Sequence, residues 1–411
     1  MSEGNAQAEP IISVAPAEQV KINEQQQQRL QRYIRVATLY NLLLLLVAGL
    51  LLVPVIIFVV IPATFTIVTT AWLAFQPVPG WYPLRILAFY LMGTVAIGCL
   101  LFLFSLLVGY ILPRHYKVRA STRTFAAWLR RWLRINGRRL LHWLLVLQSC
   151  LLCIAIQPNL WWLWMALLFT CIATLQTYLS PLYAFRGVKR TPLTDERLVN
   201  VLNTLCKANK TNIQHFFLLE SKKPGQLVRA NAYLAGWGKT SSILLTDGLL
   251  KYFQHTEIKS VVAHELGHHV HRHLIKRQLL NFGLLLAELF LYYMGYHWFQ
   301  FLVSSSSSPS NAEVIALLFF GCLAVCLRLS FWQARRGYRR KNEFWADEFA
   351  LRATYDVQAF KNAMLRLGNL NDIPLKLTPR QEKGQTHPST MSRLHHADEF
   401  AIRLAQARRV T

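Results

Sequence analysis

The chain has 411 residues, a formal net charge of +25 and 53% hydrophobic residues. Its apolar residues gather into long runs and its Lys and Arg residues into the gaps between them, the composition of a polytopic membrane protein. A soluble nucleic-acid binder would spread its basic residues over a polar chain and carry a binding motif, and none is present.

In chain order, residues 1–35 are polar and Gln-rich, with no early apolar stretch. They read as a disordered N-terminus and not as a signal peptide. A spanning helix needs roughly 20 apolar residues. The candidates are residues 36–61, 86–112, 140–156, 160–179, 279–303 and 314–332. Gln157-Pro158-Asn159 joins the third to the fourth, and a serine run, 304–308, joins the last two. Basic residues crowd before the first span (Arg29, Arg32, Arg35), in the loop 113–139 and after the last span (Arg335 to Lys341). With about six spans, every one of these segments falls on the cytosolic side. Pro54 and Pro62 interrupt the first run, but splitting it would put the loop 113–139 outside. Within that loop Phe125, Trp128, Leu129, Trp132 and Leu133 recur at helical spacing, with Arg130, Arg131 and Arg134 between them. This predicts an amphipathic helix on the membrane surface, the alternative being a basic loop that only sets topology. Six of the seven cysteines lie in apolar runs, and the Cys150/Cys153 pair has no second pair to complete a metal site. They read as small apolar residues.

Two polar segments remain, 180–276 and 334–411, separated by the transmembrane hairpin 277–333. Together they are roughly 175 residues, enough for one compact domain. Helical periodicity over 195–209 and 257–273, short strands over 216–219 and 242–245, and a turn at 222–225 predict an α+β domain.

The segment His264-Glu265-Leu266-Gly267-His268 carries the chemistry. Residues four apart share a helical face, so His264 and His268 can bind one metal ion. Glu265 beside them can act as general base on a water at the metal. The bland reading is a polar helix with solvated histidines, since His269, His271 and His273 follow. A third ligand must come from elsewhere. Glu343 and Asp347 share a helical face, so one can ligate while the other orients a ligand histidine; Glu348 lies on a different face. Glu288 and Arg328 fall inside the fifth and sixth spans, where ionisable groups are costly; they pair across the hairpin or line a wet cavity.

Four pieces in order resemble the integral-membrane zinc peptidases that include the HtpX heat-shock protease and the CAAX prenyl endopeptidase. They are Asn231-Ala232-Tyr233 with Ile243-Leu244-Leu245-Thr246, the His264 to His268 segment, Glu343 to Asp347, and His387-Pro388 with Arg393. The resemblance implies a mainly α polytopic membrane protein with a cytosolic α+β zincin-like metallopeptidase domain. It implies one Zn2+ per chain held by His264, His268 and Glu343, Glu265 as general base, and Asp347 as partner of a ligand histidine. His387 and Arg393 would face the scissile carbonyl. Asn231, Ala232, Tyr233, Ile243 and Leu244 would form an edge strand that pairs with extended substrate. The expected protein is a multi-pass membrane endopeptidase of a bacterial inner membrane with a cytoplasmic active site. It would cut membrane proteins or peptides in quality control, or process lipidated C-termini as an alternative. A non-catalytic scaffold binding acidic lipid or a partner is the rival of a different class, and the intact Glu265 argues against it.

Overall fold

In the computed structural model, residues 23–47, 102–117, 124–184, 188–211, 213, 215–221, 229–235, 241–304 and 309–410 are described. The first two expected spans fall largely outside these residues, as do the turn 222–225 and the serines 305–308.

Helix α1 (Glu24–Val47) begins inside the segment expected to be disordered. It is ordered by docking: Gln27 is buried, its Oε1 accepts from the Leu375 amide at 2.9 Å, and the Gln26 amide donates to the Asn369 carbonyl and to Asp372. Leu30 is buried beside them. A polar segment reads as disordered when its partners lie more than 300 residues away in the chain.

Helix α2 (Phe102–His115) packs against α3 (Phe125–Ile156). Trp128 is buried among Phe102, Tyr110 and Phe125, and Phe102 meets Trp132 edge-on at 5.0 Å. Trp128 and Trp132 of the stripe expected on the membrane surface are therefore in a helix–helix interface, while Phe125 and Leu133 remain exposed. The reason is continuity: α3 runs unbroken from this stripe into the third expected span, so its first turns cannot lie flat. Helix α4 (Trp161–Ala184) follows after the short turn.

The polar domain is built on a four-stranded sheet of order β1-β2-β4-β3. Its strands are β1 (Val188–Pro192), β2 (His215–Ser221), β3 (Ala232–Ala235) and β4 (Ser242–Thr246). β2 and β4 are parallel, and the two outer pairings are antiparallel. Helix α5 (Glu196–Ala208) is capped by Asp195, which accepts from the Leu198 amide at 3.0 Å. After the short α6 (Asp247–Tyr252) comes α7 (His255–Val270), the helix with the histidine motif. One apolar core joins α5, the sheet and α7 to the C-terminal elements, with Leu198, Leu202, Ile243, Val262, Leu266, Leu351 and Phe360 all buried.

Helices α8 (His273–Ser304) and α9 (Pro309–Thr354) form the hairpin. Among the described residues, two helices are long and apolar enough to cross a membrane, Trp161–Leu179 and His273–Trp298. They pack together through Trp162 against Phe290 and a Gln278–Thr177 hydrogen bond of 3.0 Å. The sixth expected span lies inside α9, which continues into the polar domain. Arg328 Nε lies 2.8 Å from Glu288 Oε1, so the two charges pair across the hairpin. The chain ends in α10 (Val357–Leu370), the short α11 (Pro379–Lys383) and α12 (Thr390–Val410).

Candidate metal centre

Helix α7 is predicted to reach residue 273 but stops at Val270. Arg272 then adopts a left-handed backbone (φ 53°), and α8 starts in a new direction at His273. The buried face of α7 lies against α9, and Gly267 sets their separation. A Cβ there would meet the Ala346 Cα and the Phe349 Cβ, each at 3.1 Å. The glycine inside the histidine motif thus lets the two helices close, which is what brings Glu343 to the histidines.

His264 Nε2 lies 3.5 Å from Glu343 Oε2, and His268 Nε2 lies 3.5 Å from Glu343 Oε1. One donor atom from each of the three residues falls within 4.8 Å of the others. Tetrahedral zinc with ligands at about 2.0–2.2 Å puts donor atoms roughly 3.4 Å apart. The donor set fits the ion in both chemistry and spacing. Burial alone would raise the Glu343 pKa, but hydrogen bonds from His264, His268 and His387 hold it well below the carboxylate range.

Asp347 is fully buried and its Oδ1 lies 2.8 Å from His264 Nδ1. That contact demands a proton on Nδ1, so Nε2 is the nitrogen that gives up its proton when His264 ligates a metal. Burial opposes charge on Asp347, but the Arg393 guanidinium and the His264 contact outweigh it and lower its pKa. Arg393 grips Asp347 through Nε at 2.8 Å and Nη2 at 2.5 Å, and Nη2 also lies 3.2 Å from His264 Nδ1. Burial and Arg393 disfavour charge on His264, yet its hydrogen bonds to Asp347 and Glu343 push its pKa up to about 9.

Glu265 is partly buried, and burial pushes its carboxyl above the ordinary range. Among the described residues it makes no hydrogen bond or salt bridge, so its oxygens are uncommitted. His387 is exposed and its Nδ1 lies 2.9 Å from Glu343 Oε2. Its loop is braced by Arg340, which donates to the carbonyls of Lys383 and Gln385, and by Glu382, which accepts from the Ser389 amide.

The Arg393 guanidinium is bonded to Asp347, on the Nδ1 side of His264. One expectation is corrected. Ile243 and Leu244 are not on an edge, because β4 pairs with β2 on one side and β3 on the other, and both side chains are buried. Among the described strands the outer positions belong to β1 and to β3, which carries Ala232 and Tyr233, with Asn231 just before it. Sequence reasoning missed Arg366, which forks onto buried Glu257 at 3.1 and 3.2 Å and ties the start of α7 to α10. It also missed His273, whose Nδ1 lies 2.8 Å from His268 Nδ1. No spacing rule could have found it, since five residues along a continuous helix point away from the metal face.

A histidine helix and a carboxylate helix thus converge on one donor set of His264, His268 and Glu343. Residues 192–401, a little over half of the chain, match the sequence profile of peptidase family M48, and the chain belongs to that family. It is 28% identical over 259 residues to a CAAX prenyl protease 1 homolog of Dictyostelium discoideum, covering 59% of this chain and 56% of that one. It is 26% identical over 276 residues to a Protease HtpX homolog of Archaeoglobus fulgidus, covering 57% of this chain and 77% of that one. The chain thus spans little more than half the length of the first of these relatives. The crystal structure of S. mikatae Ste24p shares its fold, with a TM-score of 0.70 at 18% identity over 94% of this chain and 92% of that one.

Proposed function

We propose that the chain is a membrane-embedded zinc metalloendopeptidase that hydrolyses peptide bonds of membrane or membrane-associated proteins. The observation that carries this is the convergence of His264 Nε2, His268 Nε2 and the Glu343 carboxylate beside an uncommitted Glu265. A zinc ion held by these three residues supplies Lewis acidity, lowering the pKa of water and polarising a carbonyl oxygen. Glu265, with its raised pKa, takes the proton from the attacking water and delivers it to the leaving amine. Asp347 keeps His264 in the tautomer that presents Nε2, and Arg393 fixes Asp347. His387, at the exposed side of Glu343, is the group that can donate a hydrogen bond to the developing oxyanion. β3, an outer strand of the described sheet, is where an extended substrate would add a strand.

The basic segments favour a topology of about six spans with the polar domain in the cytosol, in a bacterial inner membrane. Quality control of membrane proteins is the first reading for the substrate. Processing of lipidated C-termini is the second, favoured by the relative from Dictyostelium that bears a prenyl protease name. The test is Glu265→Gln in the purified full chain. It keeps one zinc and loses turnover by about 10²–10⁴-fold, because only the proton acceptor is removed. Wild-type cleavage by Glu265→Gln would refute the mechanism. Comparing the membrane proteomes of the two strains, with a prenylated peptide assayed in parallel, separates the substrate readings.

A further inference from the structure

We infer that His273 is a positioning residue for the metal centre: it accepts the Nδ1 proton of His268 and so fixes the tautomer in which His268 can ligate. The inference rests on the metal-site reading above. His268 directs Nε2 at Glu343 Oε1 and Nδ1 at His273 Nδ1, 2.8 Å away. Two imidazole nitrogens at that separation share one proton, so one donates and the other accepts. If His273 donates, neutral His268 carries its proton on Nε2 and has no lone pair for a metal. If His268 donates, Nε2 is free to ligate. A carboxylate usually fills this role beside a ligand histidine. Asp347 fills it for His264, and among the described residues no carboxylate reaches the Nδ1 of His268.

The fold builds this contact deliberately. His273 is separated from His268 by a helix break whose hinge, Arg272, sits at φ 53°. A non-glycine residue is disfavoured in that region, and the rest of the fold must offset the strain. The break turns the first residue of α8 back under the metal face of α7. There the ring of His273 is buried at 5% exposure and lies between two others. His271 stacks on it at 5.4 Å and 17°, and Trp345 at 5.9 Å and 23°. Trp345 stands two residues beyond Glu343 on α9. The helix that supplies the third ligand therefore also clamps the residue that orients the second. His273 is then the Nε2–H tautomer, and that nitrogen is buried with no partner among the described residues.

The experiment measures zinc affinity of the full-length protein in detergent by chelator competition, with the visible spectrum of the cobalt-substituted protein as a second readout. His273→Phe keeps a ring against Trp345 and removes the acceptor; His273→Leu is the second acceptor-free variant. His273→Asn returns an acceptor oxygen close to the Nδ1 position. The acceptor-free variants are expected to bind zinc about 10–100-fold more weakly and to shift the cobalt spectrum, and His273→Asn to restore both. A folded His273→Phe or His273→Leu chain with wild-type affinity and spectrum overturns the inference, as does an Asn variant no better than Phe. A wild-type chain that holds no zinc, or a His264→Ala/His268→Ala chain that holds it fully, overturns the metal-site reading itself.

Discussion

His264 is held at both ring nitrogens, by Asp347 on one side and the Glu343 carboxylate on the other. Its orientation therefore depends on a residue that never meets a metal. Asp347→Ala removes the acceptor for Nδ1 and strands the buried Arg393 guanidinium. We expect zinc affinity to fall about 10–100-fold, and stability by about 3–5 kcal/mol, since breaking a buried pair leaves an uncompensated charge. Zinc titration and thermal unfolding of the zinc-free protein test the two effects separately. An Asp347→Ala chain with unchanged affinity would show that Asp347 does not orient the ligand. At this scale the converging residues His264, His268 and Glu343 were legible, because a four-residue spacing on a helix is a property of adjacent sequence. The partners of those residues were not. Arg393, Arg366 and His273 each approach from another helix, His273 across the helix break at Arg272, and nothing in their own surroundings in the sequence points to the contact.

The packing of α7 on α9 decides whether the ligands meet. Gly→Ala in an open helix position stabilises by about 1 kcal/mol through helix propensity. At Gly267 the sign reverses, because the added methyl group meets α9 backbone and the Phe349 side chain at 3.1 Å. Gly267→Ala is expected to destabilise by about 1–3 kcal/mol and to weaken zinc binding as the helices part. A rise in melting temperature with full zinc retention would contradict the close-approach argument. The other end of α7 is fastened by Glu257, which accepts from the Gln254 amide at 3.0 Å and from Arg366. Glu257→Ala removes a buried carboxylate that serves both the helix start and α10. We expect a loss of about 3 kcal/mol, read by thermal or denaturant unfolding. A loss below about 1 kcal/mol would mean the pair is screened like a surface one. The existence of these helices followed from periodicity, but the end of α7 did not. Residues 257–273 read as one helix because a left-handed Arg272 has no signature in composition, unlike a glycine or proline at the same place.

Across the whole molecule, α9 couples membrane and site. It runs from Pro309 to Thr354 without a break, so Glu343 sits about 16 Å beyond the expected end of the sixth span at Trp332, at 1.5 Å per residue. The histidines reach the same height on a separate helix, not on an extension of the fifth span. The topology is tested by cysteine labelling of intact cells. A cysteine at Ser306 should react with an impermeant reagent from outside, and one at Thr411 only after permeabilisation. Labelling of both in intact cells would overturn the six-span arrangement and the cytosolic placement of the site. The sequence by itself determined the membrane class, through apolar length and the asymmetry of Lys and Arg. Helical spacing also singled out His264, Glu265 and His268 and the pair Glu343 and Asp347, whose donor atoms the fold brings together. These are local quantities, set within a turn or a span. Only the tertiary structure decided that β4 is an inner strand and β3 an outer one, that Gln26 and Gln27 order the N-terminal helix against the segment 369–375, that Trp128 packs on α2, and that His273 lies under His268. Each depends on which distant segment arrives as neighbour, and hydrophobic patterning records that a face is buried without recording what covers it.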